Sequence, residues 1–144
     1  MQQQPGVQIG LDVGDARVGV ALSRSGSLAQ PYATYVRAGK RAEKEILALV
    51  LKEKPELIVC GLPLSFDGTQ NEQCQRVFAF AQRIQKRSGC KLIYIDEYCT
   101  SADAGELLSL AGKRGKRSEA RIDAAAATLI LQTYLDDSSK ALIF

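Results

Sequence analysis

Leu57-Ile58-Val59-Cys60-Gly61-Leu62-Pro63 is the stretch that decides the fold. Its first four residues are wholly apolar, and Gly-Leu-Pro then breaks the run. A strand without polar alternation is covered on both faces, as strands of parallel sheets are. Upstream, Lys40 to Lys54 places Ala42, Ile46, Leu49 and Val50 on one helical face. Downstream, Thr69 and Glu72 form a capping-box pattern, opening a helix with Val77, Ala81 and Ile84 inward and Gly89 as its terminator. Lys91 to Ile95 reads as the next buried strand.

Outward from this strand-and-helix run, Val7 to Val13 and Arg17 to Leu22 read as a hairpin about Gly14-Asp15. Ala33 to Arg37 supplies a third strand, and helices are expected from Ser101 to Ala111 and from Glu119 to Leu135. The order β-β-β-α-β-α-β-α-α predicts an α/β fold. Its later strands are parallel with right-handed crossovers, and its leading strands form an antiparallel part.

A length of 144 residues fits one domain, 1–144, with short flexible tails at about 1–6 and 137–144. An apolar fraction of 46% and a charged fraction of 24% suit a proper core and argue against disorder. The formal charge of +3 is compatible with a polyanionic partner without requiring one. The start Met1-Gln2-Gln3-Gln4-Pro5-Gly6 is neither basic nor apolar, and no apolar run is long enough for a bilayer. A cytoplasmic protein without a membrane partner is expected. Cys60, Cys74, Cys90 and Cys99 are irregularly spaced, with no CxxC, so reduced thiols are expected. The chain has no histidine. That removes Ser-His-Asp and Cys-His catalysis and HExxH metalloproteases, and leaves acid–base and metal chemistry mainly to carboxylates.

Open α/β sheets place their sites at the carboxyl ends of the strands. Asp12 lies near such an end, in Gly10-Leu11-Asp12-Val13-Gly14. A carboxylate in an apolar strand is costly to bury unless it is paired or binds a cation. The alternative, a turn aspartate capping the hairpin, suits Asp15 better. Asp96-Glu97 ends the last buried strand, and alternation lets one of the two point into a site. Asp123 opens an alanine-rich helix, Ala124 to Ala127, whose small residues favour close packing on the sheet. Dipole compensation in a first turn is the competing reading for it. Three carboxylates from distant segments suit Mg²⁺ or Mn²⁺, and such sites serve phosphodiester hydrolysis. Lys113, Arg114, Lys116, Arg117 and Arg121 lead into Asp123 and are candidates to hold a phosphate backbone, or else form a solvated charge run. Arg83, Lys86, Arg87 and Lys91 read as a solvated helix end.

Four segments carry a resemblance: Ile9 to Ala21, Gly61 to Thr69, Asp96-Glu97 with Thr100, and Ile122 to Ala127. In order and spacing they resemble the YqgF (RuvX-type) family of pre-16S rRNA nucleases, earlier described as Holliday junction resolvases. The resemblance implies a ribonuclease-H-like three-layer fold, a mixed five-stranded sheet with helices on both faces. It also implies a metal-dependent endonuclease maturing the 5′ end of precursor 16S rRNA, with Asp12, Glu97 and Asp123 as its catalytic and metal-binding carboxylates. By the same analogy Arg17 supports the site and the Gly61 to Thr69 loop lines it. Nucleic acid, with ribosomal particles, is the expected partner, and a monomer or weak homodimer the expected state. The chain departs from the family pattern at Tyr98, where arginine is usual, at Ser65, where asparagine is usual, and at Cys99, where leucine or a similar residue is expected.

Three other readings remain open at this stage. The same site could cut branched DNA. A nucleic-acid or ribosome-binding module with little catalysis is a second. An actin-like phosphotransfer domain is a third, disfavoured because the chain is short for two lobes and lacks a second Asp-x-Gly loop and a Walker GxxxxGK[ST].

Overall fold

In the computed structural model of the chain, residues 6–97 and 116–143 are described, residues 116–122 by their backbone alone. Five strands, β1 (Gln8–Val13), β2 (Arg17–Ser23), β3 (Gln30–Val36), β4 (Leu57–Leu62) and β5 (Leu92–Asp96), form one sheet in the order β3-β2-β1-β4-β5. β2 runs antiparallel to both β1 and β3, while β4 pairs in parallel with both β1 and β5. This is the mixed five-stranded sheet of the ribonuclease-H-like fold. The carboxyl ends of β1, β4 and β5 therefore share one edge of the sheet.

Alternation along the strands divides the core in two. Ile9, Leu11, Val13, Val18, Val20, Ile58, Cys60 and Leu62 face α1 (Arg41–Glu53) and α2 (Glu72–Ser88). The expected inward faces of both helices are buried, with Cys74 and Phe80 added to that of α2. On the opposite side Ala21, Val59 and Ile95 meet Ala127, Ile130 and Leu131 of α3 (Lys116–Asp136). Cys60, Cys74 and Cys90 are buried free thiols. Among the described residues no helix is long and apolar enough to cross a membrane.

α3 lies on the sheet at backbone distance. A Cβ added to Gly19 would fall 1.9 Å from the Asp123 carbonyl oxygen, and one on Gly10 would fall 2.8 Å from the Ala127 carbonyl oxygen. Both are well inside any contact that real Cβ atoms tolerate. The two glycines in β1 and β2 thus set the depth at which the helix docks.

Several boundaries differ from those read in the sequence. The cap of α2 is Asn71, whose side chain accepts from the Cys74 N–H, so the Thr69-Glu72 capping box is not formed. Thr69 bonds Asp67 instead, through both its N–H and its hydroxyl. β3 starts at Gln30 rather than Ala33, because Pro31 sits on an edge strand, where a missing N–H is tolerated. α3 starts at Lys116, three residues before the expected Glu119. Within the segment 137–143, read as a tail, Ala141 bridges to Ile95 and the Leu142 N–H donates to the Tyr94 carbonyl at 2.8 Å. The helix expected from Ser101 to Ala111 lies outside the described residues.

The basic end of α2 is also more than a solvated surface. Glu43 of α1 is buried, and its two carboxylate oxygens accept from Arg83 Nε at 2.7 Å and Arg87 Nη1 at 2.9 Å. The hydrogen bond from Arg83 holds the Glu43 carboxyl below the usual carboxylate range, against the opposing effect of burial. The two arginine side chains remain 46% and 52% exposed, so water screens the attraction.

Two outcomes follow for variants of these contacts. Glu43→Gln is expected to lower unfolding free energy by about 1–2 kcal/mol at pH 7. Because the folded-state pKa is depressed, that stabilisation is present above the ordinary carboxylate range and is lost as pH falls through the depressed value. Urea titrations of both proteins should therefore converge as pH falls below the ordinary glutamate range; a gap independent of pH would show that the ion pairs do not produce it. Gly19→Ala is expected to cost about 3 kcal/mol or to prevent folding, since the clash is with backbone. A melting temperature equal to wild type would contradict the docking depth described here.

Candidate active site

Asp12 is on the same face of β1 as Gly10, the face covered by α3. Glu97 follows the last residue of β5, two positions after Ile95, which also packs on the α3 side. β4 lies between their two strands. The residue beneath them is Gly61, which follows Cys60, the partner of Leu11, and itself pairs with Ile95. A Cβ on Gly61 would lie 3.8 Å from the Glu97 Cβ and 2.4 Å from Ile130 Cδ1. The space a side chain would take is filled by Ile130 of α3, and Glu97 stands beside it.

The Asp12 and Glu97 carboxyl groups meet through a hydrogen bond. Burial, then the charge of Glu97 and its hydrogen bond, then the charge of Asp123, push the Asp12 carboxyl up to about 8. Burial raises Glu97 too, but the hydrogen bond from Asp12 pulls the other way. The two carboxyl groups therefore share a proton in the hydrogen bond between them. Two acids sharing one proton are a site that cannot hold both negative charges unaided. A hard divalent cation would supply the missing positive charge, and carboxylate oxygens are the donors it takes.

Asp123 approaches from the other side. Its backbone rests on Gly19, the cross-strand partner of Asp12. Its carboxylate oxygen Oδ2 accepts from Arg17 Nε at 2.7 Å, with 36% of the arginine side chain and 22% of the aspartate side chain exposed. Arg17 and Gly19 share a face of β2, which explains why α3 delivers the carboxylate to the guanidinium. Seven positions separate Asp123 from Lys116, about two helical turns. It does not open the helix, and compensation of the helix dipole, a first-turn effect, does not account for it.

The described residues therefore hold an Asp12–Glu97 pair with Asp123 close enough to act on its charge but bonded to Arg17. Among them no group of three or more Asp, Glu, Cys or His side chains is gathered closely enough to ligate an ion. Asp96 falls on the opposite side of β5 from Glu97 by alternation. Asp15 is exposed at the hairpin turn and pairs with Arg76 at 3.0 Å, in keeping with a turn role. Lys113 and Arg114 lie outside the described residues, as do Tyr98, Cys99 and Thr100; Lys116, Arg117 and Arg121 are placed on α3 by their backbone alone.

The loop after β4 is tied to the same place. The Glu97 N–H donates to the Leu62 carbonyl at 3.0 Å, and the Ser65 N–H to the Thr69 carbonyl at 2.8 Å. Asn71 Nδ2 donates to the Pro63 carbonyl and to Ser65 Oγ. Ser65, where the resembled family has asparagine, thus helps close the loop from within. Sequence reasoning missed Gly19 as a docking point, Asn71 as the tie between loop and helix, and the Arg17–Asp123 pair. A glycine inside an apolar strand, as in Val18-Gly19-Val20, was the available signal for the first.

Comparison with known proteins agrees with this fold. The family model for RuvX, described as Holliday junction resolvase, matches residues 6–137. A protein of Syntrophus aciditrophicus named "Putative pre-16S rRNA nuclease" is 41% identical over 134 residues, covering 92% of this chain and 89% of its own. One of the same name from Nitrosospira multiformis is 38% identical over 137 residues, covering 94% and 91%. Among solved structures, Thermus thermophilus RuvC in complex with a Holliday junction substrate superposes with a TM-score of 0.58 at 15% identity, covering 96% of this chain and 100% of its own. The yeast mitochondrial Holliday junction resolvase Ydc2 gives 0.53 at 11% identity, covering 92% and 79%. At such identities the structural likeness speaks for the fold alone. The family match over nearly the whole chain, with relatives near 40% identity, establishes that the chain belongs to the RuvX family.

Proposed function

We propose that the protein is a metal-dependent phosphodiester endonuclease that matures the 5′ end of precursor 16S rRNA in the cytoplasm, on ribosomal particles or their RNA. The observation that carries this reading is the meeting of the Asp12 and Glu97 carboxyl groups at the carboxyl edge of the sheet, in a chain whose relatives bear that nuclease name. Asp12, Glu97 and Asp123 are the residues that would hold Mg²⁺ or Mn²⁺. Such ions, when bound, supply an activated water and a stabilised leaving oxygen at a phosphodiester. The protein's own part is to aim carboxylate oxygens from β1, β5 and α3 at one point. The partial burial of Asp12 and Glu97 keeps their charge little screened. Arg17, Lys113, Arg114, Lys116, Arg117 and Arg121 supply the positive charge that orients a phosphate backbone beside them.

Cleavage of branched DNA by the same carboxylates is the second reading. The resolvase description of the family and the fold shared with RuvC favour it. Both substrates present the same phosphates, so the discriminating measurement is direct: cleavage of a 16S 5′-leader RNA against a four-way DNA junction, each with Mg²⁺ or Mn²⁺. Preference for the leader RNA is expected.

Asp12→Asn and Glu97→Gln are each expected to reduce cleavage at least about 100-fold. The same variants are not expected to lose stability in EDTA, because they remove a charge the apo site cannot accommodate. Added Mn²⁺ should raise the melting temperature of the wild type and not that of Asp12→Asn, since only a cation bound to the folded state stabilises it. Undiminished cleavage by Asp12→Asn, or no cleavage of either substrate by the wild type, would refute the nuclease assignment.

A further inference from the structure

We infer that Arg17 is an exchange residue that holds Asp123 away from the Asp12–Glu97 pair until a nucleic-acid phosphate takes its place on the guanidinium. This rests on the nuclease reading above and specifies how the site is completed. Three observations lead to it. The described carboxylates form a pair and a separate ion pair, not a cluster of three. The Arg17 Nε–Asp123 Oδ2 contact is short, 2.7 Å, and aligned as a charge-assisted hydrogen bond. Yet 36% of the Arg17 side chain is exposed, so an incoming anion can reach it.

The physical argument is one of competing partners. An arginine fork binds a phosphate as readily as a carboxylate, often with two parallel bonds. Asp123 has two stable uses: bonded to Arg17, or turned toward the centre beside Asp12. Its backbone need not move in either case, because the Asp123 carbonyl is seated on Gly19 and a side-chain rotation suffices. When a phosphate engages Arg17, the guanidinium keeps a negative partner and Asp123 is released to a bound cation. When the phosphate is absent, the cation has two carboxylates rather than three and binds less tightly. Cation and nucleic acid then bind cooperatively, and by linkage each tightens the other by the same factor. The device makes the complete centre dependent on substrate. Arg17 is in this sense a positioning residue that acts through Asp123.

The test measures Mn²⁺ binding, not cleavage. Mn²⁺ is titrated by electron paramagnetic resonance into wild type, Arg17→Gln, Arg17→Lys, Asp123→Asn and the Arg17→Gln/Asp123→Asn double variant, each verified as folded by circular dichroism. Arg17→Gln should bind free Mn²⁺ about tenfold more tightly than wild type, a typical size for coupling between sites. Losing a nearby positive charge would by itself raise cation affinity, so the double variant is decisive: the gain should vanish when Asp123 cannot ligate. Arg17→Lys, which keeps the charge but not the fork, should fall between. In a second arm, fluorescence anisotropy of a labelled phosphorothioate RNA oligonucleotide should show tighter binding to wild type with Mn²⁺ than with EDTA, and this coupling should shrink in Arg17→Gln. If Asp12-dependent Mn²⁺ binding is present but Arg17→Gln gains nothing, or keeps its gain without Asp123, the exchange is overturned while the nuclease reading stands. If no variant and no wild-type sample binds Mn²⁺ in an Asp12-dependent way, the nuclease reading fails and the exchange fails with it.

Discussion

Helix α3 comes down to backbone distance on the sheet where side chains are missing. At Gly19 and Gly10 the helix backbone occupies the volume a Cβ would need, and the rest of the site depends on that approach. Asp123 belongs to the turn that rests on Gly19, and Gly19 is the cross-strand partner of Asp12. A wider spacing between helix and sheet, of the ordinary side-chain-mediated kind, would lift Asp123 away from both Arg17 and Asp12. The alanines from 124 to 127 serve the same contact from the helix side, with Ala124 and Ala127 buried against the sheet.

The opposite face of the sheet is built differently. There α1 and α2 sit on large aliphatic side chains, and their relative position is fixed partly by Glu43 bonded to two arginines of α2. One face thus supplies most of the apolar burial, while the other is thinned to bring a helix close. The hydrophobic driving force scales with buried area, so the thick face stabilises the fold and leaves the thin face free to carry strained chemistry. Asp12 beside Glu97 is that strain: a partly buried pair of acids that would be unfavourable if its only purpose were to hold the fold together.

Much of the fold was legible along the chain because its elements follow local rules. The apolar run Leu57 to Cys60 marked a central parallel strand, and the inward faces of α1 and α2 followed from helical periodicity. Boundaries failed where a competing local bond won. Thr69 turned to Asp67 rather than capping α2, and Pro31 concealed the start of an edge strand. Residues 141 and 142, in what reads as a tail, reach the outer edge of β5, 46 positions earlier in the bridge from Ala141 to Ile95. Nothing in its own composition signals such a contact.

By itself, the sequence determined that any acid–base or metal chemistry would fall to carboxylates, since it contains no histidine. It also put Asp12 and Glu97 at strand ends on one edge, because strand direction and alternation are local properties. Only the tertiary structure decided which partner each carboxylate takes. Asp12 meets Glu97 because β4 sets their two strands one strand apart with both residues on the α3 face, and Asp123 meets Arg17 because Gly19 lets α3 down onto β2. Those pairings depend on distances between segments far apart in the chain, and a missing side chain on one strand has no local signature of what will fill the space above it.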